Sequence, residues 1–339
     1  MPGGVVFMAR ILSLMPRIYF KDPESIATLE AFQDDLAFSL DYAPDKIIAA
    51  AREATCLLCP APYPDIPEKV INGLPNLKLI QVIGAGYDKI DIAAAARAGI
   101  PVANTPGLNT SAVAELALAA IIALQRGIAY GDKEIKAGRY QQGREIIFER
   151  GTSEVGGSRW GIVGLGRIGA RLAEMGRFLG AEVAYYSRRR KAPEEESRLG
   201  VVFRPFEELL AQSDVVIVCV ALTGETKGMI GRREMAMMKP GAILVNVARG
   251  GIVDDAALAE AIARGHLGGA VLDTFETEPL PADHPLLRLP PEKLDRLLLT
   301  PHLGGTTTQA MNRMLKYALD NCRRVIRGEK PLSVVNGVA

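Results

Sequence analysis

Cysteine is scarce in this chain. Four cysteines among 339 residues are too few and too scattered for the disulfide framework of a small secreted protein. Cys56 and Cys59 form a C-x-x-C pair, but they lie in the apolar run TCLLC, which predicts a buried strand. Residues three apart in a strand point to opposite faces, and no second pair lies nearby to complete a zinc site. We therefore expect no metal site and a reducing, cytoplasmic location.

The chain also lacks an excess of charge of either sign. Its 40 Lys and Arg residues are balanced by 39 Asp and Glu residues, which leaves a net charge of +1. Nucleic acid and anionic lipid both require a broad electropositive surface, so neither is an expected partner. The densest group of cations, Arg188 to Lys191, is followed at once by Glu194, Glu195 and Glu196. Taken alone, this group is typical of a solvated turn.

Long hydrophobic runs are missing as well. The most apolar helical stretch, residues 111–124, is too short to cross a bilayer and contains Glu115. The N-terminal stretch MPGGVVFMAR lacks the basic region of a signal peptide. These patterns predict a protein that neither spans nor binds a membrane.

What the chain does contain is a regular alternation of strand and helix patterns, typical of α/β proteins with parallel sheets. Its length allows two domains. In the first part, strands are predicted at residues 11–14, 55–58, 77–82 and 101–103, and helices at 66–71 and 92–98. From Trp160 onward the patterns predict a six-stranded doubly wound sheet, with strands at 160–163, 182–186, 214–220, 242–247, 270–273 and 297–300. Helices are predicted to begin near Ser111 and at 167–179, 207–211, 226–238, 255–263 and 309–327.

A glycine motif, GLGRIG at residues 164–169, joins the strand at 160–163 to the next helix. Gly164 permits a tight turn, Gly166 lets a pyrophosphate approach the backbone, and Gly169 lets helix and strand pack closely. The helix then offers free N–H groups and a partial positive charge to phosphates. A lone G-x-G-x-x-G is weak evidence, but between a strand and an amphipathic helix it predicts dinucleotide binding. Along that helix, a buried stripe is predicted at Ile168, Leu172, Met175 and Leu179.

The next strand, predicted at 182–186 and the second of this βαβ unit, is followed by Ser187 and three arginines. NAD-binding folds usually place Asp or Glu here, on the ribose 2′-hydroxyl. A serine removes the carboxylate that would repel a 2′-phosphate, and guanidinium groups bind phosphate bidentately. The run therefore predicts a preference for NADP(H), with NAD(H) possible. Arg188 and Arg189 are the predicted phosphate ligands, whereas Arg190 and Lys191 can be explained as solvated charge.

Three later stretches carry a family resemblance: VNVARGGIVD (245–254), GAVLDTFETEP (269–279) and TPHLG (300–304). They follow one another as in the D-isomer-specific 2-hydroxyacid dehydrogenases. The stretches GAGYD (84–88), NTPG (104–107) and AVAELA (112–117) extend the resemblance, which covers the chain from about Arg10 to Asn336. The serine–arginine run and DHPL (283–286) are most similar to the glyoxylate/hydroxypyruvate reductase branch.

The resemblance implies a role for each matching residue. His302 is the acid that protonates the alkoxide left by hydride transfer, and Glu278 is the carboxylate that favours its imidazolium form. Arg249 binds the substrate carboxylate and polarises the 2-oxo group. Ala85 and Gly86 bring backbone N–H groups to the substrate. Asp273 holds the nicotinamide carboxamide, and the implied cofactor-binding positions are Gly164, Gly166, Arg167, Ile168, Gly169, Ser187, Arg188, Arg189, Val247, Ala248 and Asp273.

Other residues compete for these roles. Of the three histidines, His266 follows a helix end and His284 lies in a proline-rich loop, so structural roles are expected for both. Glu276 is the alternative to Glu278, but the family's carboxylate falls five residues after the aspartate, which selects Glu278. Ala221 stands where many members have proline, which leaves the contact made there open.

The resemblance implies a Rossmann-type dinucleotide domain at residues 108–305. A flavodoxin-like α/β substrate domain is formed by 1–107 and 306–339, with the chemistry in the cleft between them. It also implies a homodimer, formed through the helix after Ser111 and the arm that follows. The expected reaction is NADPH-dependent reduction of glyoxylate or hydroxypyruvate to a D-2-hydroxy acid. The alternatives are an NAD-dependent D-lactate or D-3-phosphoglycerate type of dehydrogenase, and a dinucleotide-sensing interaction protein that resembles the family's co-repressors.

Overall fold

The computed structural model describes residues 10–61 and 64–338. The chain divides into two units: one comprises Met1–Asn109 and Gly305–Ala339, and the other comprises Thr110–Gly304. Each unit contains one sheet, and all strand pairs within the two sheets are parallel. The predicted α/β class with two parallel sheets is therefore confirmed. The substrate and dinucleotide roles assigned to the two units remain predictions.

The strands of the described residues are β1 (Ile11–Ser13), β2 (Leu36–Phe38), β3 (Cys56–Pro60), β4 (Leu79–Ile83), β5 (Val102–Ala103), β6 (Arg159–Val163), β7 (Glu182–Tyr186), β8 (Val202–Phe203), β9 (Val215–Val218), β10 (Ile243–Asn246), β11 (Gly269–Leu272) and β12 (Leu297–Leu299). The α-helices are α1 (Pro23–Glu30), α2 (Pro44–Ala51), α3 (Glu68–Asn72), α4 (Ile92–Arg97), α5 (Thr110–Gln125), α6 (Ile128–Lys136), α7 (Tyr140–Arg150), α8 (Arg167–Phe178), α9 (Pro193–Leu199), α10 (Phe206–Gln212), α11 (Arg232–Met237), α12 (Asp255–Ala263), α13 (Pro291–Leu294) and α14 (Thr308–Ile326).

The sheet of the first unit has the strand order β2-β1-β3-β4-β5, which is the flavodoxin-like order. The sequence patterns missed β2, a three-residue edge strand whose side chains are only partly buried. They also missed α1 and α2. The start of α1 does carry a recognisable signal, because Pro23 occupies its first turn and the Asp22 carboxylate accepts hydrogen bonds from the N–H groups of Glu24 and Ser25.

Helix α14 returns the chain to the first unit and packs against β3 and β4. Its Asn321 side-chain amide donates a hydrogen bond to Gln81 Oε1 in β4 at 2.6 Å, and Asn321 Oδ1 accepts one from the Leu332 N–H at 2.8 Å. Gln81 and Asn321 are both buried. These bonds therefore satisfy polar groups that would be costly in the core without partners.

The sheet of the second unit has seven strands in the order β12-β11-β10-β9-β6-β7-β8. The prediction of six strands was wrong, because it missed β8 at the edge of the sheet. With two residues, β8 is too short to show an alternating pattern. The chain reverses its direction of winding between β6 and β9, and ligands of open α/β sheets bind at such a switch point, outside the carboxyl ends of the strands.

The buried face of α8 differs from the predicted stripe. Leu172 is buried, but Leu179 is 39% exposed and lies just after the helix. The buried residues of the helix are Gly169, Leu172, Ala173 and Gly176. A Cβ atom at Gly176 would lie 2.7 Å from the Trp160 ring, so the helix packs closely through its small residues. Ile168 and Met175 of the predicted stripe are partly buried against the same core, so counting only large apolar residues found the face but missed its small residues.

Two further differences concern helices of the second unit. Residues 226–231 form turns, and α11 begins only at Arg232, because Gly228 has a positive φ of 65° and Gly231 is the N-cap. The predicted helix at 226–238 was therefore too long at its start. Helices α6, α7 and α9 were not predicted.

Among the described residues, no single helix is long and apolar enough to cross a membrane. The pair α5 and α6 meets the requirement of length and composition together, but the two helices are bent by 64° relative to each other.

Candidate active site

Three adjacent strands of the second sheet are followed by residues with predicted catalytic or cofactor-binding roles. Arg249 follows β10, Asp273 follows β11 directly, and His302 follows β12. The three strands are neighbours and parallel, so their carboxyl ends lie at one edge of the sheet. Glu278 lies on the loop after β11. The fold thus brings these four side chains to the edge at which α/β sheets hold their ligands.

His302 and Glu278 are directly paired. The Nδ1 atom of His302 lies 2.9 Å from Glu278 Oε2 and 3.2 Å from Oε1. The side chains are 23% and 15% exposed, respectively. Glu278 Oε1 also accepts a hydrogen bond from the Phe275 N–H at 2.9 Å. With Nδ1 held by the carboxylate, Nε2 is the ring nitrogen that remains for proton exchange with a substrate.

The pKa of Glu278 is lowered. Burial by itself raises it, but the hydrogen bond and charge of His302 outweigh that effect, and the Phe275 N–H and the charge of Arg249 lower the pKa further. The carboxylate therefore stays ionised below the ordinary range for glutamate. The ionised carboxylate beside Nδ1 holds the His302 ring in one orientation.

Asp273 organises the turn that carries His302. Its Oδ1 accepts hydrogen bonds from the Thr300 hydroxyl at 2.6 Å and the Leu303 N–H at 2.8 Å, and its Oδ2 accepts one from the Gly304 N–H at 2.8 Å. Asp273 is buried. His302 has a left-handed φ of 54°, a conformation that non-glycine residues adopt only when their surroundings impose it. The bonds to both sides of His302 impose it here.

Arg249 lies on a turn shaped by Asn246. The buried Asn246 side chain donates a hydrogen bond to the Arg249 carbonyl at 2.8 Å and accepts one from the Ala248 N–H at 3.1 Å. The Arg249 guanidinium donates to the Ala248 carbonyl at 2.8 Å. A Cβ atom at Gly250 would lie 1.9 Å from the Phe275 carbonyl carbon, so this turn lies against the backbone of the loop that carries Glu278.

The residues that compete with the catalytic set have other contacts. Glu276 is paired with Lys227 at 3.1 Å rather than with His302. His266 Nε2 contacts the Met235 carbonyl at 3.0 Å. His284 Nε2 lies 3.3 Å from Asp255 Oδ2 at the start of α12. These contacts are structural in character, whereas the His302–Glu278 pair lies at the edge where the strands end.

The glycine motif has the geometry that a dinucleotide requires. Gly164 has a φ of 101°, and a Cβ atom there would lie 2.7 Å from the Cys219 carbonyl oxygen. A Cβ atom at Gly169 would lie 2.2 Å from the Gly164 carbonyl oxygen. Gly166 caps α8 without a side-chain hydrogen bond, and nothing lies within 4 Å of where its Cβ would be. The N-terminus of α8 thus faces open space with its first N–H groups, including those of Arg167 and Ile168, available for phosphate.

Ser187 and the arginines follow β7, next to this motif. The Gly164 N–H donates to the Tyr186 carbonyl at 2.8 Å, which places the start of the run beside the glycine turn. Ser187 Oγ donates to the Arg189 carbonyl at 2.7 Å, and the exposed Arg188 is paired with Glu225.

Arg190 is 62% exposed, in line with solvated charge, but it also forms an ion pair that the sequence did not predict. Its guanidinium donates two hydrogen bonds of 2.8 Å to the Glu196 carboxylate, of which only 11% is exposed. Tyr185 donates a third hydrogen bond to Glu196 at 2.6 Å. The hydrogen bonds from Arg190 and Tyr185 lower the pKa of Glu196 to about 2. Arg190 therefore holds the turn after β7 together.

The predicted substrate loop lies in the first unit, after β4. The Asn104 side chain donates to the Ala85 carbonyl at 2.7 Å, and Thr105 exchanges hydrogen bonds with both backbone groups of Gly84. Two residues directly after β5 thus hold the loop that contains Ala85 and Gly86. Selectivity for the substrate side chain is also expected to depend on the loop at residues 59–64, of which residues 62 and 63 lie outside the described part of the chain.

The sequence reasoning missed several residues that position this site. Asn246 and Thr300 hold the turns of Arg249 and His302, and Asn104 holds the substrate loop. Each lies within a motif that carried the family resemblance. A small polar residue directly at the end of a strand is the signal that could have revealed all three. Asn246 bonds to the turn that follows it, whereas Thr300 and Asn104 bond to residues after neighbouring strands.

The two cysteines of the C-x-x-C pair are buried in β3. Burial raises the pKa of the Cys59 thiol, which disfavours the thiolate needed for redox chemistry or metal binding. Within residues 10–61 and 64–338, no three His, Cys, Asp or Glu side chains gather in a way that could hold a metal ion.

Comparison with known proteins adds to this geometry. The profile of the family described as D-isomer specific 2-hydroxyacid dehydrogenase, NAD binding domain, matches residues 118–304. The glyoxylate reductase of Aeropyrum pernix is 35% identical over 323 residues, which cover 93% of this chain and 93% of that protein. A solved structure of a glyoxylate reductase from Paecilomyes thermophila has a TM-score of 0.82 at 28% identity and covers 99% of each chain.

A relative with another name is similar to a comparable degree. The D-3-phosphoglycerate dehydrogenase of Mycobacterium leprae is 35% identical over 327 residues. The match covers 95% of this chain but 59% of that protein.

Proposed function

The chain belongs to the D-isomer-specific 2-hydroxyacid dehydrogenase family, and from this membership we propose that it reduces glyoxylate and hydroxypyruvate to D-2-hydroxy acids, with NADPH as the preferred dinucleotide. The observation that carries the proposal is the His302–Glu278 pair at the strand ends, next to the Arg249 turn. Glyoxylate as a substrate is further supported by the names of relatives such as the Aeropyrum pernix enzyme.

In this mechanism Arg249 binds the substrate carboxylate and polarises the 2-oxo group, a task suited to a planar, permanently charged donor. His302 carries a proton on Nε2, while Nδ1 donates to Glu278. A bound nicotinamide dinucleotide supplies the hydride. As negative charge develops on the substrate oxygen, His302 transfers its Nε2 proton there and becomes neutral. Glu278 stays ionised throughout and stabilises the protonated ring beforehand.

The same carboxylate explains why one histidine suffices for both directions. In reduction the ring must arrive protonated, and in oxidation it must accept a proton from the hydroxy acid. A ring that is held in one orientation and has one nitrogen free to give or take a proton can do both. Ala85 and Gly86 keep their predicted role as backbone donors to the substrate, which the ordered loop after β4 supports.

For the dinucleotide, the proposal assigns the pyrophosphate to Gly164, Gly166 and Gly169 at the start of α8. Val247 and Ala248 after β10, together with Asp273, line the nicotinamide end. Preference for NADPH rests on Ser187, Arg188 and Arg189. The absence of a carboxylate at position 187 removes a repulsion that would otherwise exclude a 2′-phosphate.

A homodimer and a cytoplasmic location complete the proposal. Ile128, Ile135, Tyr140 and Phe148 on α6 and α7 are large apolar side chains that are all exposed. Exposed apolar residues concentrated on one segment are typical of an interaction surface, and these helices form the arm predicted to make the dimer contact. The cytoplasm fits the free cysteines at positions 56, 59, 219 and 322.

The Mycobacterium leprae relative favours a second candidate, oxidation of a phosphorylated D-2-hydroxy acid with NAD. Steady-state kinetics on a substrate panel separates the two. We expect the highest kcat/KM for glyoxylate or hydroxypyruvate with NADPH, and lower values for pyruvate, bulkier 2-oxo acids and 3-phosphohydroxypyruvate. Equal kcat/KM with NADH and NADPH would contradict the cofactor preference. Absence of turnover despite dinucleotide binding would instead favour a dinucleotide-sensing interaction protein.

A further inference from the structure

The three arginines after β7 differ in their surroundings. Arg190 is bound to Glu196 by two hydrogen bonds, and its guanidinium also lies 5.6 Å from the centre of the Phe203 ring. The Tyr185 hydroxyl, which donates to Glu196, accepts a hydrogen bond from the Lys191 N–H at 2.8 Å. These contacts hold the turn at residues 190 and 191. Arg188 has no such contacts and is 76% exposed, and its ion-pair partner is Glu225.

Glu225 follows a different strand from the arginines. It lies on the turn after β9, which pairs with β6 on the side opposite β7. Hydrogen bonds between Thr223 and Thr226 order this turn, and Thr226 Oγ1 also donates to the Ala221 carbonyl at 2.6 Å. The nearby cation Lys227 is paired with Glu276. The Glu225 carboxylate is therefore held on an ordered turn, and its partner is one of the two arginines proposed to bind a 2′-phosphate.

We propose that Glu225 is a specificity-determining residue, whose carboxylate competes with the 2′-phosphate of NADPH for Arg188 and so reduces the preference for NADPH over NADH. The inference rests on the proposed placement of the adenosine ribose at Ser187. A ribose 2′-hydroxyl is neutral and leaves the Arg188–Glu225 pair intact. A 2′-phosphate carries up to two negative charges. Glu225 already accepts a hydrogen bond from Nη1 of Arg188, so the phosphate would have to share or displace this contact and would lie close to the Glu225 charge.

The expected size of the effect on NADPH binding follows from the solvent exposure of Arg188 and Glu225. Both side chains are largely solvated, and exposed ion pairs of this kind change an equilibrium constant by about twofold to fivefold. Screening by salt reduces such an effect further. Glu225 therefore adjusts the selectivity that Ser187, Arg188 and Arg189 establish and does not reverse it.

The test is the Glu225→Gln variant, which keeps the size of the side chain and removes its charge. Dissociation constants of NADPH and NADH are measured by isothermal titration calorimetry at low and high salt, without substrate. We expect NADPH to bind about twofold to fivefold more tightly and NADH to bind as before, with the gain shrinking at high salt. Glu194→Gln is the matched control, because it removes an exposed carboxylate close in sequence to the arginines. It should leave both constants nearly unchanged.

A double variant, Glu225→Gln with Arg188→Gln, shows whether the effect passes through Arg188. The gain in NADPH affinity should largely disappear when Arg188 is already absent. An unchanged ratio of the two constants in Glu225→Gln, or weaker NADPH binding, would overturn the inference. The latter would mean that Glu225 positions Arg188 and does not compete for it.

If the proposed preference for NADPH is wrong, the binding measurements give a different result. In that case the parent protein binds NADH at least as tightly as NADPH, and Arg188→Gln changes neither constant. The effect of Glu225→Gln on the ratio is measured in the same experiment. The two ideas can therefore fail independently.

Discussion

His302 Nδ1 and Glu278 Oε2 lie 2.9 Å apart, and the carboxylate of this pair has a pKa below its ordinary range. Glu278 is thus a fixed negative charge over the whole pH range in which a histidine titrates. In this pair, Nδ1 donates its proton in a hydrogen bond to the carboxylate, and Nε2 remains for the substrate. Three of the predictions below concern this pair or the loops that hold it.

Replacing His302 by Asn should remove proton transfer and leave dinucleotide binding nearly intact. Loss of a general acid typically lowers the rate by about a hundredfold to ten-thousandfold. The measurement is kcat for glyoxylate reduction together with the dissociation constant of NADPH. His266→Asn is the control, since its ring contacts the Met235 carbonyl away from the strand ends. A His302→Asn variant with parental kcat would refute the role of His302.

Replacing Glu278 by Gln should move the basic limb of the pH–rate profile for reduction to lower pH. The imidazolium loses a charged hydrogen-bond partner worth roughly 1.5–3 kcal/mol, which corresponds to a shift of about one to two pH units. In the parent protein, the lowered pKa of Glu278 means that the carboxylate is lost only below its ordinary range. The profile of kcat/KM between pH 5 and 10 tests this. An unmoved basic limb would show that Glu278 does not act on the ring.

Replacing Arg188 by Gln should weaken NADPH binding more than NADH binding. One charge-assisted hydrogen bond is worth about 1.5–3 kcal/mol, so the dissociation constant of NADPH should rise by roughly tenfold to a hundredfold. Arg198→Gln is the matched control, because it removes an exposed arginine of α9 that is paired with Glu174. Equal losses for both dinucleotides would show that Arg188 does not recognise the 2′-phosphate.

Replacing Gly250 by Ala should destabilise the second unit and lower activity together. The added Cβ would lie 1.9 Å from the Phe275 carbonyl carbon, and relief of such crowding in a packed region typically costs about 1–3 kcal/mol. The backbone must then separate the Arg249 turn from the Glu278 loop. Thermal unfolding and kcat/KM are the measurements. Gly224→Ala has open space around its Cβ and serves as the control; identical behaviour of the two variants would contradict the prediction.

Replacing Glu196 by Gln should lower stability at neutral pH and have less effect in acid. The pKa of Glu196 is depressed to about 2 by Arg190 and Tyr185. Its ionised form therefore stabilises the folded state above the unfolded pKa of about 4.3. That contribution is lost as the pH falls towards about 2. Urea midpoints at pH 7, 4 and 2.5 should show the parent and the variant converging, and a constant difference would exclude this linkage.

The sequence predicted well where the pattern is local. Helix α12 has the predicted bounds, because Asp254 caps it and the following residues favour a helix. The unit from β6 through the glycine motif to α8 was likewise predictable from adjacent residues. Strands β2 and β8 were missed because short edge strands have little periodicity. The predicted start of α11 was too early because Gly228 and Gly231, which favour a turn, were included in the helix.

The contacts that complete the site were beyond local reasoning. Asp273 was assigned only to the cofactor, because the hydrogen bonds it accepts from Thr300, Leu303 and Gly304 join strand ends that are far apart in the chain. The ion pair of Arg190 was missed for a similar reason. Its partner Glu196 lies in α9, which was not predicted as a helix, so the proximity of the two charges could not be seen.

The return of α14 to the first unit has a consequence for synthesis on the ribosome. The bond between Gln81 and Asn321 joins residues 240 positions apart, and the whole of Thr110–Gly304 is translated between them. The second unit is continuous and can fold as soon as it emerges, whereas the first sheet leaves the ribosome without the helix that covers it. The face of β4 that α14 covers thus stays open to water, or to a chaperone, until α14 has been made.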